Sequence, residues 1–189
     1  MEEPTLRTHI FAATTALILS LTPAVVLADC GPLCDPAFYP NASAQTVQDL
    51  LDGGADVNAK DAGGKSPLHY AAKANLETLK ALLGAGAVVD AGDQYNRTPL
   101  HFLSAASTPE NVTALINAGA DVNARTANGW TPLHGVAKFG TPEVIALLLA
   151  AGADASLVNE MGESPFALAV GNERIKASEL YQVLGDAVK

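Results

Sequence analysis

A chain of 189 residues, 49% of them hydrophobic and 16% charged, carries material for one domain with an extended core. Its formal net charge of −9 argues against a general nucleic-acid binder, which would show a basic excess. In chain order, residues 1–28 read as an export signal. Ile10 to Leu21 is an apolar run broken only by Thr and Ser, Thr22-Pro23 follows, and Val26-Leu27-Ala28 suits a signal peptidase, so that Asp29 would begin the mature chain. Glu2 and Glu3 offset Arg7, whereas export signals usually open with net positive charge, so an uncleaved membrane anchor is the alternative. The run itself is shorter than the roughly 20 apolar residues that a spanning helix needs. Asp29 before Cys30 disfavours a lipoprotein anchor, because a small residue would be expected there.

Cys30-Gly31-Pro32-Leu33-Cys34 holds both cysteines of the chain. In an exported protein, a pair in a short Gly-Pro turn predicts a local disulfide that shapes the N-terminal end. A redox-active pair is the sharper alternative, but the spacing is Cys-x3-Cys and no neighbouring Lys or His would lower a thiol pKa. A metal site would need partners that these residues lack. From Asp35 a degenerate unit begins, with Thr46 to Leu51 as a helix ended at Gly53-Gly54.

Four cognate stretches then recur: Ser66-Pro67-Leu68-His69, Thr98-Pro99-Leu100-His101, Thr131-Pro132-Leu133-His134 and Ser164-Pro165-Phe166-Ala167. They start 32, 33 and 33 residues apart. Gly54-Ala55-Asp56, Gly86-Ala87-Val88, Gly119-Ala120-Asp121 and Gly152-Ala153-Asp154 repeat in the same register. Ser or Thr can accept from a free N–H at a helix start, and Pro fits the first helical position, so each copy predicts a helix start. A second helix with an apolar stripe, such as Val144, Ile145, Leu147, Leu148 and Leu149, should stop at Gly152. Asp56-Val57-Asn58 and Asp121-Val122-Asn123 suit the turn that follows. One such unit cannot bury its apolar face alone, so neighbours must stack.

A period of 33 with this tetrapeptide resembles the ankyrin repeat, over roughly residues 34–189. The resemblance implies an all-α ankyrin-repeat solenoid of helix-turn-helix units with projecting β-hairpin-like loops. On this reading 29–61 is an N-terminal segment with the disulfide and a degenerate capping repeat. Repeats follow at 62–93, 94–126 and 127–159, and 160–189 is the C-terminal cap. The unit at 62–93 is one residue short, a loss expected in the turn near Lys73-Ala74-Asn75. In the cap, one last helix is expected to carry Glu173, Arg174, Lys176 and Glu179 on a solvated face.

His69, His101 and His134 share one register, but stacking in a row keeps three imidazoles from meeting at one metal ion, which needs every nitrogen within roughly 2.1 Å. The resemblance implies a structural role, each ring bonding the backbone of the adjacent loop. No Gly-x-Ser-x-Gly elbow, phosphate loop or His-Glu-x-x-His helix is present, so catalysis and a cofactor have no specific support. Asn41-Ala42-Ser43 and Asn111-Val112-Thr113 match the short glycosylation pattern.

By resemblance, binding should use the loop tips and inner face of the first helices, which line a concave surface. Matching positions are Lys65, Tyr70, Lys73, Tyr95, Arg97, Phe102, Trp130, Lys138, Phe139 and Met161, a set rich in aromatics and cations. Such residues dominate interface hot spots. The expectation is a periplasmic or secreted, non-catalytic monomer that holds a protein or peptide of some acidic character, without nucleic acid or membrane. Against it, Lys60 and Arg125 recur in one register and can serve solubility, and Tyr70 and Phe102 can pack on the neighbouring repeat. Two other readings are an accessory or maturation factor for an envelope enzyme, and a membrane-tethered scaffold.

Overall fold

The computed structural model describes residues 30–188, so the expected signal at 1–28 and the cleavage before Asp29 lie outside the described residues. Helices α1 (Ala44–Asp52), α3 (Leu76–Gly84), α5 (Pro109–Asn117) and α7 (Pro142–Ala150) form an outer row. The inner row is α2 (Pro67–Tyr70), α4 (Pro99–Ala106), α6 (Pro132–Phe139) and α8 (Pro165–Ala169). Two short helices, α9 (Glu173–Lys176) and α10 (Glu179–Asp186), close the stack. Each inner helix packs on the next inner helix and each outer helix on the next outer one. Among the described residues there is no strand, and no helix is long and apolar enough to cross a membrane.

Local chemistry sets the helix ends. Ser66, Thr98, Thr131 and Ser164 are extended N-caps with Pro at the first helical position, where the missing N–H leaves no bond unmade. Outer helices carry their own caps: Ser43 accepts from the N–H of Thr46 at 3.1 Å, and Asn75 from that of Thr78 at 2.9 Å. The glycine after each outer helix, including Gly152 at φ 92°, adopts the left-handed conformation that lets the chain turn out of the helix.

Leu68, Leu100 and Leu133 from the inner row meet Leu79, Leu82, Val112, Leu115, Ile145 and Leu148 from the outer row in one continuous buried core. Burying each leucine contributes roughly 1.5–3 kcal/mol relative to exposure, and no single unit could do so alone. Polar side chains also join the units. Asn75 Nδ2 donates to the carbonyl of Ala42, Asn111 Nδ2 to that of Ala74, and Asn172 Nδ2 to that of Ala137.

Two local expectations need correction. The missing residue of the 62–93 unit is taken from its inner helix: α2 makes one turn and tightens into a 3-10 turn at Ala71–Lys73, with Asn75 already capping α3. The closing segment is two helices, because Ser178 starts α10 afresh and turns it back onto α8. There the rings of Phe166 and Tyr181 lie 4.8 Å apart. At the other end Leu33 and Tyr39 are fully buried, and the Tyr39 hydroxyl donates to the carbonyls of Leu33 and Pro67. The Cys30 and Cys34 sulfurs form a close pair across a 3-10 turn, with Cα atoms 5.1 Å apart.

Candidate functional site

The loop tips set the site. In each, the first residue folds the turn back on itself: Asp61, Asp93 and Asn159 accept two backbone N–H bonds through Oδ1, and Thr126 Oγ1 accepts the N–H of Trp130. A single pair closes the turn, as when Asp93 N–H donates to the Arg97 carbonyl at 3.0 Å, which is too short for a strand. Successive tips are joined by one backbone bond: Gln94 to Gly63, Ala127 to Tyr95 and Glu160 to Asn128. One position of each tip has positive φ, at Gly64, Asn96, Gly129 and Gly162; Asn is the non-glycine residue that tolerates it best.

Two neighbouring tips and two inner helices enclose an open groove of about 480 Å³. Its walls are Tyr95 and Arg97 on one tip, Phe102 on α4, Trp130 on the next tip and Phe139 on α6, with Ala105 and Gly135 at its base. Tyr95 and Phe139 are 52% and 64% exposed, large values for apolar side chains and a mark of an interaction surface.

Cations lie on these rings. The Arg97 guanidinium carbon stands 5.0 Å from the Tyr95 ring centre and 4.8 Å from that of Phe102. Lys138 Nζ lies 5.3 Å from Trp130 and 5.4 Å from Phe139, and Lys65 Nζ lies 5.2 Å from both Tyr70 and Phe102. Arg97 is further pinned by buried Asp93, which takes Nη2 at 2.6 Å and Nε at 2.7 Å on one oxygen. Burial pushes the Asp93 carboxyl up, but the Arg97 side chain and the backbone N–H groups of Arg97 and Tyr95 outweigh it and hold it below its ordinary 3.8.

The sequence candidates separate accordingly. Tyr95, Arg97, Phe102, Trp130 and Phe139 line the groove, and Lys65 and Lys138 flank it. Tyr70 is half-buried with its hydroxyl donated to Asp61, and burial followed by that carboxylate pushes it up to about 12. Lys73 is exposed on the shortened inner helix, and Met161, 70% exposed, sits on the tip beyond Trp130; neither reaches the groove. Two cations of the basic rows act within the scaffold instead: Lys60 donates to the Gly92 carbonyl at 2.9 Å and Arg125 to that of Val158 at 2.8 Å. Gly135, which follows its histidine in the same register as Tyr70 and Phe102, also lines the groove.

The family of ankyrin repeats, in its three-copy form, matches residues 37–126 and 102–184. The chain belongs to the ankyrin repeat family. No curated protein is similar enough to the chain to count as a match. Ankyrin repeats generally mediate protein–protein interaction, and proteins built from them are generally non-catalytic. The histidines fit that picture, since both nitrogens of each ring are engaged. His69 Nδ1 accepts from Ser66 N–H at 3.0 Å while Nε2 reaches the Arg97 carbonyl at 2.9 Å. Among the described residues no cluster of His, Cys, Asp or Glu is placed to hold a metal ion. Of the two glycosylation patterns, Asn41 is exposed, whereas Asn111 is 1% exposed and donates inward.

Proposed function

We propose that this chain is an exported, non-catalytic interaction module that captures a protein or peptide segment in the groove centred on Trp130. The observation that carries the reading is the convergence of Tyr95, Phe102, Trp130 and Phe139 on one open groove, in a family whose repeats hold proteins. The affinity source is a preformed surface: stacked helices and bonded loop tips are already ordered, so little conformational entropy is lost on binding. Aromatic rings supply area, and Arg97 and Lys138 supply polar contacts at the rim. Export rests on the apolar run Ile10 to Leu21 and the Val26-Leu27-Ala28 site, and in an oxidising compartment Cys30 and Cys34 would close a disulfide.

Affinity capture from the native envelope fraction, comparing the wild type with a Trp130→Ala, Arg97→Ala double variant, tests the face. The variant should lose the partner while keeping its helical circular dichroism; equal recovery removes this face from consideration. N-terminal sequencing tests export, with a start at Asp29 expected and a retained Met1 in membranes supporting an anchor.

A further inference from the structure

We infer that Gly135 opens a socket in the groove for an aromatic side chain of the partner, flanked in the partner's sequence by carboxylates. This rests on the groove being the binding face.

Nothing local demands glycine at 135. It lies inside α6 with ordinary helical backbone, and a Cβ there would meet only Ala105 Cβ and the His101 carbonyl, both at 3.9 Å, an ordinary contact. Glycine weakens a helix interior relative to alanine, so the residue is locally unfavourable. What it leaves is space. In the two preceding units the same register carries Tyr70 and Phe102, and a ring at 135 would occupy the volume between Phe102, Trp130 and Phe139.

The chemistry of the occupant follows from the rim. An aromatic cage ordinarily suits a cation. Here Arg97, itself paired with Asp93, already covers Tyr95 and Phe102, and Lys138 covers Trp130 and Phe139, so a cationic ligand would find these ring faces taken and would meet the like charge of Lys138. Asp93, the buried carboxylate beside the groove, is spent on Arg97. Among the described residues Lys138 makes no ion pair, although the chain carries a net charge of −9, whereas Lys65 already acts on the Asp61 carboxylate, which its charge helps to lower. A ring packed on rings, with acids reaching Lys138, is the complement of this surface.

Trp130 is the only tryptophan, so its fluorescence reports occupancy directly. The full chain is titrated with acetyl-Asp-Glu-Phe-Glu-Asp-amide, with the same peptide carrying Ala for Phe, with acetyl-Lys-Lys-Phe-Lys-Lys-amide and with tetramethylammonium. Saturable binding of the first is expected, weakened roughly tenfold or more by losing the ring or reversing the charge, with no response to tetramethylammonium. Gly135→Phe should lose the first peptide by a similar factor. Exposed Lys138→Glu should shift the preference toward the basic peptide, and it decides the matter if Gly135→Phe does not fold. Tighter binding of the basic peptide or of tetramethylammonium overturns the inference, as does a folded Gly135→Phe that binds unchanged, or no saturable response to any probe. If these fail while the Trp130 and Arg97 double variant still loses the native partner, the face stands and the socket falls.

Discussion

His101 donates from Nε2 to the backbone carbonyl of Trp130 at 3.2 Å, so a ring in one repeat holds the loop tip of the next. Thr98 N–H donates to Nδ1 of the same ring at 3.1 Å, which makes Nδ1 the acceptor and places the imidazole proton on Nε2. The relation repeats from His69 to Arg97 and from His134 to Glu163. The residue held each time is the one before Ser/Thr-Pro, and two of these three, Arg97 and Trp130, line the groove.

A second proton on Nδ1 would face the Ser or Thr N–H donor, so these rings must be neutral when folded. Burial pushes all three below the ordinary 6.5, against the upward pull of the carbonyls they bond. The unfolded chain then binds more protons, so this contribution is complete above pH 6.5 and is lost as pH falls below it toward the folded values. Urea titrations should give a lower midpoint at pH 5.5 than at pH 7.5. Trp130 emission of the folded chain should stay constant across that window, because the rings remain neutral there, and shift only once pH reaches the lowered folded values. Asp93 and Asp61 act further down: both are held below 3.8, so their contribution persists above that value and is lost only beneath it.

Two glycines, one inside α6 and one at its C-cap, should respond in opposite directions to alanine. Gly135→Ala meets only ordinary contacts and should gain about 0.5–1 kcal/mol from helix propensity. Gly140→Ala places Cβ 2.8 Å from Val136 Cγ1 and 3.0 Å from Val136 Cα, an overlap with backbone that should cost about 1–3 kcal/mol. Chemical denaturation of both variants beside the wild type checks the sign of each.

Asn111 ties α5 to the preceding unit, its Nδ2 donating to the Ala74 carbonyl at 2.8 Å and to Ser107 Oγ at 3.0 Å. Asn111→Ala strands a carbonyl at the junction and should cost about 1–3 kcal/mol, read from the urea midpoint. Because that nitrogen is buried and engaged, expression in a glycosylating host should leave Asn111 unmodified by mass spectrometry.

Asp93→Asn replaces Oδ2, the acceptor of two Arg97 donors, with either an amide donor or a lost turn bond. Charge-assisted bonds of this kind contribute about 1.5–3 kcal/mol, and stability should fall by an amount in that range. The freed guanidinium should leave Tyr95 and Phe102, and salt should then affect binding at the groove more strongly than in the wild type.

The helical stack was legible because its cause is local and repeated: Ser/Thr-Pro starts each inner helix, and glycine at one register ends each outer one. The shortened α2 and the break at Ser178 were not, since both depend on how a helix end meets its neighbour. Among the site residues, the sequence could place Tyr95, Trp130 and Phe139 in rows without saying which rows converge. The register already put Gly135 in the row of Tyr70 and Phe102, but that its missing ring lies in the groove shows only once α4 and α6 are side by side.

By itself, then, the amino-acid order determined the repeat and the helix starts, because each follows from bonds within a few residues or from a pattern that recurs every 32 or 33, whereas the histidine bonds to the next loop tip, implied by the family resemblance, are tertiary. Which cations remain at the groove was decided only by the tertiary structure. Arg97 is matched by an Asp four residues back, Lys60 and Arg125 reach carbonyls about one repeat away, and Lys138 is left over rings. Charge in a sequence is a count, whereas charge at a surface is what remains after burial and hydrogen bonding have used part of it.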